Sequence, residues 1–117
     1  MKFLAFGYEA EDIYNMLVDN EENSDHRFFT RFKMILFNQQ NIKKDVMIKD
    51  TNGRPCLALS VFSHSICYLK NHLIERLEGL ENCRLNPDQD IQWVLTVPAI
   101  WNDSAKQFMR EAAMKVR

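Results

Sequence analysis

Ile91-Gln92-Trp93-Val94-Leu95-Thr96-Val97-Pro98, continued by Ala99-Ile100-Trp101-Asn102-Asp103-Ser104-Ala105, is the stretch on which the fold class turns. Trp93, Val94 and Leu95 are consecutive apolar residues, a pattern that suits a strand covered on both faces. Pro98 has no N–H to give and ends the run. Asn102-Asp103-Ser104 offers side-chain oxygens for the unpaired N–H groups of a helix start. Behind them Ala105, Phe108, Met109, Ala112, Ala113 and Val116 share one helical face. Strand, proline, cap and helix in that order predict an α/β fold.

Working upstream, Asn82 to Asp90 reads as a loop, with Asn86-Pro87-Asp88 as turn chemistry. Ser60 to Leu80 reads as a long helix. Phe62, Ile66, Leu69, Leu73, Leu77 and Leu80 recur every three or four residues, Ser60 is its expected N-cap, and Gly79 lies near its end. Asn52-Gly53 lies between Val46-Met47-Ile48 and Cys56-Leu57-Ala58-Leu59, which predicts a β-hairpin near 46–59. Pro55 cannot donate to a ladder, so its strand is expected at an edge or interrupted there. The run Phe28 to Phe37 puts Phe29, Phe32 and Leu36 on one helical face, yet it is too short for periodicity to decide its type. Asp19 to Asp25 is polar and reads as a loop. Ala10, Ile13, Tyr14 and Leu17 predict a helix over Glu9 to Val18, and Phe3 to Phe6 a short edge strand. A strand buried on both faces needs neighbours, and this pattern supplies few. The expectation is an internal slice of a larger domain.

Composition agrees with a globular chain: 117 residues, 46% hydrophobic and 26% charged. Fifteen Lys and Arg against sixteen Asp and Glu leave a net charge of −1, so nothing points to nucleic acid or to a membrane surface. The start is too short in apolar residues for a signal peptide, and no segment has transmembrane length. Cys56, Cys67 and Cys83 are odd in number and widely spaced, as free thiols in a reducing compartment would be. A soluble, cytoplasmic protein is expected.

The residue types that carry chemistry form no complete set. Ser63-His64-Ser65 are helix neighbours whose side chains diverge, so they are no triad. His64 and Cys67 converge at three residues, with His72 further along, but a structural zinc site needs about four ligands. Pairs such as Glu9/Glu11, Glu21/Glu22 and Asp88/Asp90 read as solvated charges. Arg27-Phe28-Phe29-Thr30-Arg31-Phe32-Lys33 mixes cations and rings, yet without a basic surplus it reads as core.

The segment Trp93 to Ala113, W-V-L-T-V-P-A-I-W-N-D-S-A-K-Q-F-M-R-E-A-A, resembles the strand-proline-helix segment of the 70 kDa heat-shock chaperone family. It looks like the divergent 12A/12B branch in particular. Phe6-Gly7-Tyr8-Glu9-Ala10, Arg31-Phe32-Lys33-Met34 and Asn52-Gly53 before the long helix look like that branch too. The resemblance is collinear over nearly the whole chain and strongest at 91–113.

The resemblance implies a partial actin-like ATPase domain. Residues 1–90 would be the peripheral subdomain of lobe I, and 91–117 a strand and helix of the central sheet. It implies ATP and magnesium as cofactors of the parent, with the rest of the nucleotide-binding domain and client or adaptor proteins as partners. Pro98 and Lys106 match the proline and the basic residue of the family's interdomain switch. Lys33 matches the lysine that positions the attacking water or the γ-phosphate. Lys106 replaces an arginine, which keeps the charge and loses the planar fork. The glycine-rich phosphate loops, the adenosine segment and the magnesium-holding acids have no counterpart, and only Gly7, Gly53 and Gly79 occur. Phosphoryl transfer needs several such loops at once, so this chain is expected to lack ATPase activity by itself. The alternative is a non-enzymatic interaction or adaptor module that uses the long helix and the Phe-rich segment.

Overall fold

A computed structural model describes residues 2–38, 41–81 and 86–116. In chain order the elements are α1 (Tyr8–Asp19), a 3₁₀ turn (Asn23–Asp25), a second 3₁₀ turn (Phe32–Met34) running into α2 (Ile35–Asn38), β1 (Met47–Lys49), β2 (Pro55–Leu57), α3 (Ala58–Glu81), the single turn α4 (Pro87–Asp90) and α5 (Asp103–Met114). Helices and a small sheet are thus mixed, as an α/β piece requires. Cys83 lies outside the described residues.

The hairpin forms where Asn52-Gly53 predicts it. β1 and β2 are antiparallel, with Met47 opposite Leu57, Ile48 opposite Cys56 and Lys49 opposite Pro55. Gly53 alone takes a positive φ in the loop, 82°. The buried Asp50 carboxylate closes the loop. It accepts from the Asn52 and Arg54 backbone N–H groups and from Arg54 Nε, at 2.9, 2.9 and 3.0 Å. An aspartate that satisfies its own turn removes the need for a two-residue loop with positive φ at both positions.

α3 begins at Ala58, directly after β2, so Ser60 lies inside its first turn and is not the cap. Only its first half meets the core. Ala58, Leu59, Val61 and Phe62 are buried, whereas Leu69, Leu73 and Leu80 are exposed. α5 packs across that first half, and Ser63 Oγ donates to the Ala112 carbonyl at 3.1 Å. The centre is a chain of rings. Phe32 meets Phe62, and Phe62 meets Phe108, each edge to face at 5.2 Å. That is the arrangement ring quadrupoles favour. Leu36, Ile42, Ile48, Trp101, Ala105, Met109 and Ala112 complete the core.

The ends of α5 and α1 follow their sequence signals. Asn102 caps α5, its side chain accepting from Ala105 N at 2.9 Å, a contact of about 1 kcal/mol. α1 turns Ala10, Ile13, Tyr14 and Leu17 inward, but each is only half-buried. Tyr14 stacks on Phe28 at 4.5 Å and accepts a hydrogen bond from Thr51 Oγ1 at 3.0 Å.

Two predicted strands do not form within the described residues. Phe3–Phe6 lies instead along α3, with Phe6 5.1 Å and Phe3 5.7 Å from Tyr68, ring to ring. Ile91–Val97 has neither strand nor helix, and Gln92 to Thr96 are exposed. A strand exists only where a neighbour takes its N–H and C=O groups. The described sheet consists of β1 and β2 alone.

Candidate functional site

Local chemistry sets the stage at Lys33. Arg31 holds the left-handed conformation, φ 50°, uncommon for a residue with a Cβ. Its carbonyl accepts from Met34 N at 3.1 Å and opens the Phe32–Met34 turn. Within that turn Phe32 enters the core while Lys33 remains exposed. A helix of ordinary pitch through Phe28 to Phe37 would not need that break.

The Lys33 ammonium lies over the Trp101 ring, 5.6 Å from its centroid. This is cation–π range. Trp101 is 5% exposed, and Phe37 presents an edge to it at 6.4 Å. Its backbone N–H donates to the Pro98 carbonyl at 3.2 Å, closing a turn over Pro98–Trp101. Lys33 and the turn that starts with Pro98 are 65 positions apart in the chain, and the fold brings them together at this one ring. Lys106 follows on the first turns of α5, half-buried, its backbone N–H donating to the Asn102 carbonyl. Among the described residues its ammonium makes no ion pair.

Trp101 is the residue that sequence reasoning passed over. Its indole Nε1 is buried with no hydrogen-bond partner among the described residues. A tryptophan between a proline and a helix cap is a visible signal, but its neighbour Lys33 comes from another element.

No other constellation assembles among the described residues. Among the described residues no three His, Cys, Asp or Glu side chains could hold a metal ion. His64 stacks with Phe3 at 6.0 Å, which accounts for it as a packed side chain. Among the described residues there is thus neither a carboxylate cluster nor a glycine-rich cradle of the kind that magnesium and a nucleotide phosphate need. The strongest polar cluster is structural. Arg54, besides Asp50, donates to the Ser24 carbonyl at 2.7 Å and to the His26 carbonyl, binding the hairpin to the 24–28 segment. Burial pushes the Asp50 carboxyl up, but the Arg54 and Asn52 donors outweigh it and hold it below its usual value. The Thr51 hydrogen bond is the main cause that lowers Tyr14.

Comparison with known proteins finds relatives along nearly the whole chain. The chain is 41% identical over 112 residues to human heat shock 70 kDa protein 12B, covering 95% of this chain and 16% of that protein. It is 38% identical to mouse and 37% identical to human heat shock 70 kDa protein 12A, each over 96% of this chain and 16% of the relative. The chain thus spans about a sixth of the length of these relatives. No family model matches it, and no solved structure does.

Proposed function

We propose, on the premise that this chain is homologous to one segment of heat shock 70 kDa proteins 12A and 12B, that it is part of an ATP-binding, chaperone-like nucleotide-binding domain. The carrying observation is the collinear identity of 37–41% over 95–96% of the chain. In this reading residues 1–90 are the peripheral subdomain of lobe I of an actin-like fold. Residues 91–117 supply a strand and helix of its central sheet. ATP, magnesium, clients, a stress response and a cytoplasmic location belong to the whole protein.

Surface area supports the reading. The chain exposes 8850 Å², whereas a free-standing protein of its mass exposes about 6,700 Å². Part of the exposed surface is apolar: Trp93, Val94 and Leu95 lie open on a segment with no neighbouring strand among the described residues. In the whole domain that segment gains its partners.

The residues then have distinct tasks. Lys33 offers a point charge to a phosphoryl oxygen. Pro98 fixes one backbone angle at the turn before α5. Lys106 supplies a charge without the two-pronged geometry of arginine. No hydrolytic step is assigned to this chain, because phosphoryl transfer rests on several clamps acting together. The test is a thermal melt with and without millimolar Mg-ATP. A ligand of the folded state raises stability by about 2.7 kcal/mol at a hundredfold excess over its Kd. The expected result is an unmoved transition and no turnover. An upward shift, or Mg-dependent turnover lost in Lys33→Ala, would show a complete nucleotide site in this chain and end the fragment reading.

The exposed stripe Leu69, Leu73 and Leu80 on α3 favours a second reading, a non-enzymatic interaction module. It gains support if one specific partner is captured and then lost on Leu73→Asp with the helical content kept.

A further inference from the structure

Ile91 to Val97 has the burial pattern of a strand without the pairing of one. Ile91 and Val97 are half-buried, Trp93 and Leu95 are 45% and 44% exposed, and Val94 between them is 77% exposed. Odd and even positions thus face opposite ways, as in a strand. The odd face is held down: the Lys70 ammonium of α3 lies over the Trp93 ring at 5.9 Å, and Val97 packs against the core. Among the described residues no backbone N–H or C=O group of Ile91–Val97 is paired. The stretch from Ile91 to Asn102 also has no charged residue. Natural edge strands carry charges that discourage pairing with another chain, and this one has none.

The segment is complementary to itself. Turned end for end about Val94, it sets Ile91 against Val97, Gln92 against Thr96 and Trp93 against Leu95, apolar with apolar and polar with polar. Antiparallel strands meet in that sense. Such cross-strand pairs stabilise a sheet, and no like charges stand opposite each other. The area agrees. The surface exceeds that of a free-standing protein of this mass by about 2,100 Å², and a standard interface takes about 800 Å² from each partner.

We propose that a second copy of this chain covers the segment, the two strands pairing antiparallel about a two-fold axis at Val94. A contact of that symmetry closes on itself. In the isolated chain the second copy stands where the rest of the domain stands in the whole protein. Failure of the pairing therefore leaves the relation to the heat shock 70 kDa proteins intact.

Sedimentation of the full chain over a concentration series should give twice its mass of 13.9 kDa. Val94→Lys sets two ammonium groups opposite each other and should return the monomer. Cysteine cross-linking reads the register, with the disulfides formed on mild oxidation mapped by mass spectrometry. Val94→Cys should link to its own copy. Gln92→Cys alone and Thr96→Cys alone should not, because position 92 faces 96 and lies about 13 Å from 92 of the other copy. An equal mixture of those two variants should link. All three positions are exposed, so these substitutions leave the core untouched. A monomer at every concentration overturns the proposal. So does growth into long fibres in which Gln92→Cys links to itself, the sign of parallel in-register stacking. A dimer that survives Val94→Lys and is lost in Leu73→Asp overturns it as well, by placing the contact on the exposed stripe of α3.

Discussion

Asp50 shows how one side chain can hold a turn, a strand end and a distant loop together. Its carboxylate closes the 50–54 loop on three N–H donors, and its partner Arg54 reaches the carbonyls of Ser24 and His26. Because those donors favour the charged form, the folded protein holds this carboxyl below its usual value. The unfolded chain therefore binds the proton more readily. Asp50 contributes its full share of stability above about pH 3.9, the ordinary aspartate value, and loses it as pH falls through the lower folded value. Thermal melts over that acid range should show the wild-type transition falling more steeply than that of Asp50→Asn. Equal slopes would mean that the carboxylate contributes nothing through its charge. The asparagine variant should also be less stable at neutral pH, since it loses the charge-assisted bond to Arg54.

Among the elements, α3 combines two different roles in one amphipathic stripe. Its first half carries Phe62 between Phe32 and Phe108, while Leu73 in its second half is 41% exposed. Truncation should separate the halves. Phe62→Ala removes the middle ring of the core and should cost about 3–5 kcal/mol in a urea titration. Leu73→Ala should stay within about 0.5 kcal/mol, as surface substitutions do. Comparable losses at the two positions would mean that the second half of α3 is buried in solution. The periodicity from Phe62 to Leu80 shows one continuous stripe and gives no sign of where burial stops, because each helix residue reports its own face and not the extent of what lies against it.

For the whole molecule the decisive quantity is unfinished burial. The radius of gyration is 16.2 Å, against about 13 Å for a compact domain of this length. Together with the surplus surface, this describes a body that meets its core on one side and leaves another side open. Apolar patches of that kind mark contact surfaces or association liabilities. The isolated chain should therefore bind an apolar fluorescent dye while folded and sediment above its monomer mass of 13.9 kDa at raised concentration. Val94→Lys, placed where 77% of the residue is exposed, should reduce both. A dye-silent monomer at all concentrations would show that the exposed segment covers itself.

Sequence by itself determined the local features. Asn52-Gly53 marked the hairpin, Asn102 the cap, the face of Ala105, Phe108, Met109 and Ala112 the packing side of α5, and the spacing of Ala10, Ile13, Tyr14 and Leu17 the helix α1. Each of these depends on neighbours within a few residues, so a linear reading reaches it. It also determined the relation to the heat shock 70 kDa proteins 12A and 12B, through the residues around Val97-Pro98-Ala99. Tertiary structure alone decided the rest. The strand read at Ile91–Val97 stays unpaired because hydrogen-bond partners come from elsewhere and the described residues offer none. The meeting of Lys33 with Trp101 depended on α5 crossing α3, a contact between elements far apart in sequence, for which no spacing along the chain carries a signal.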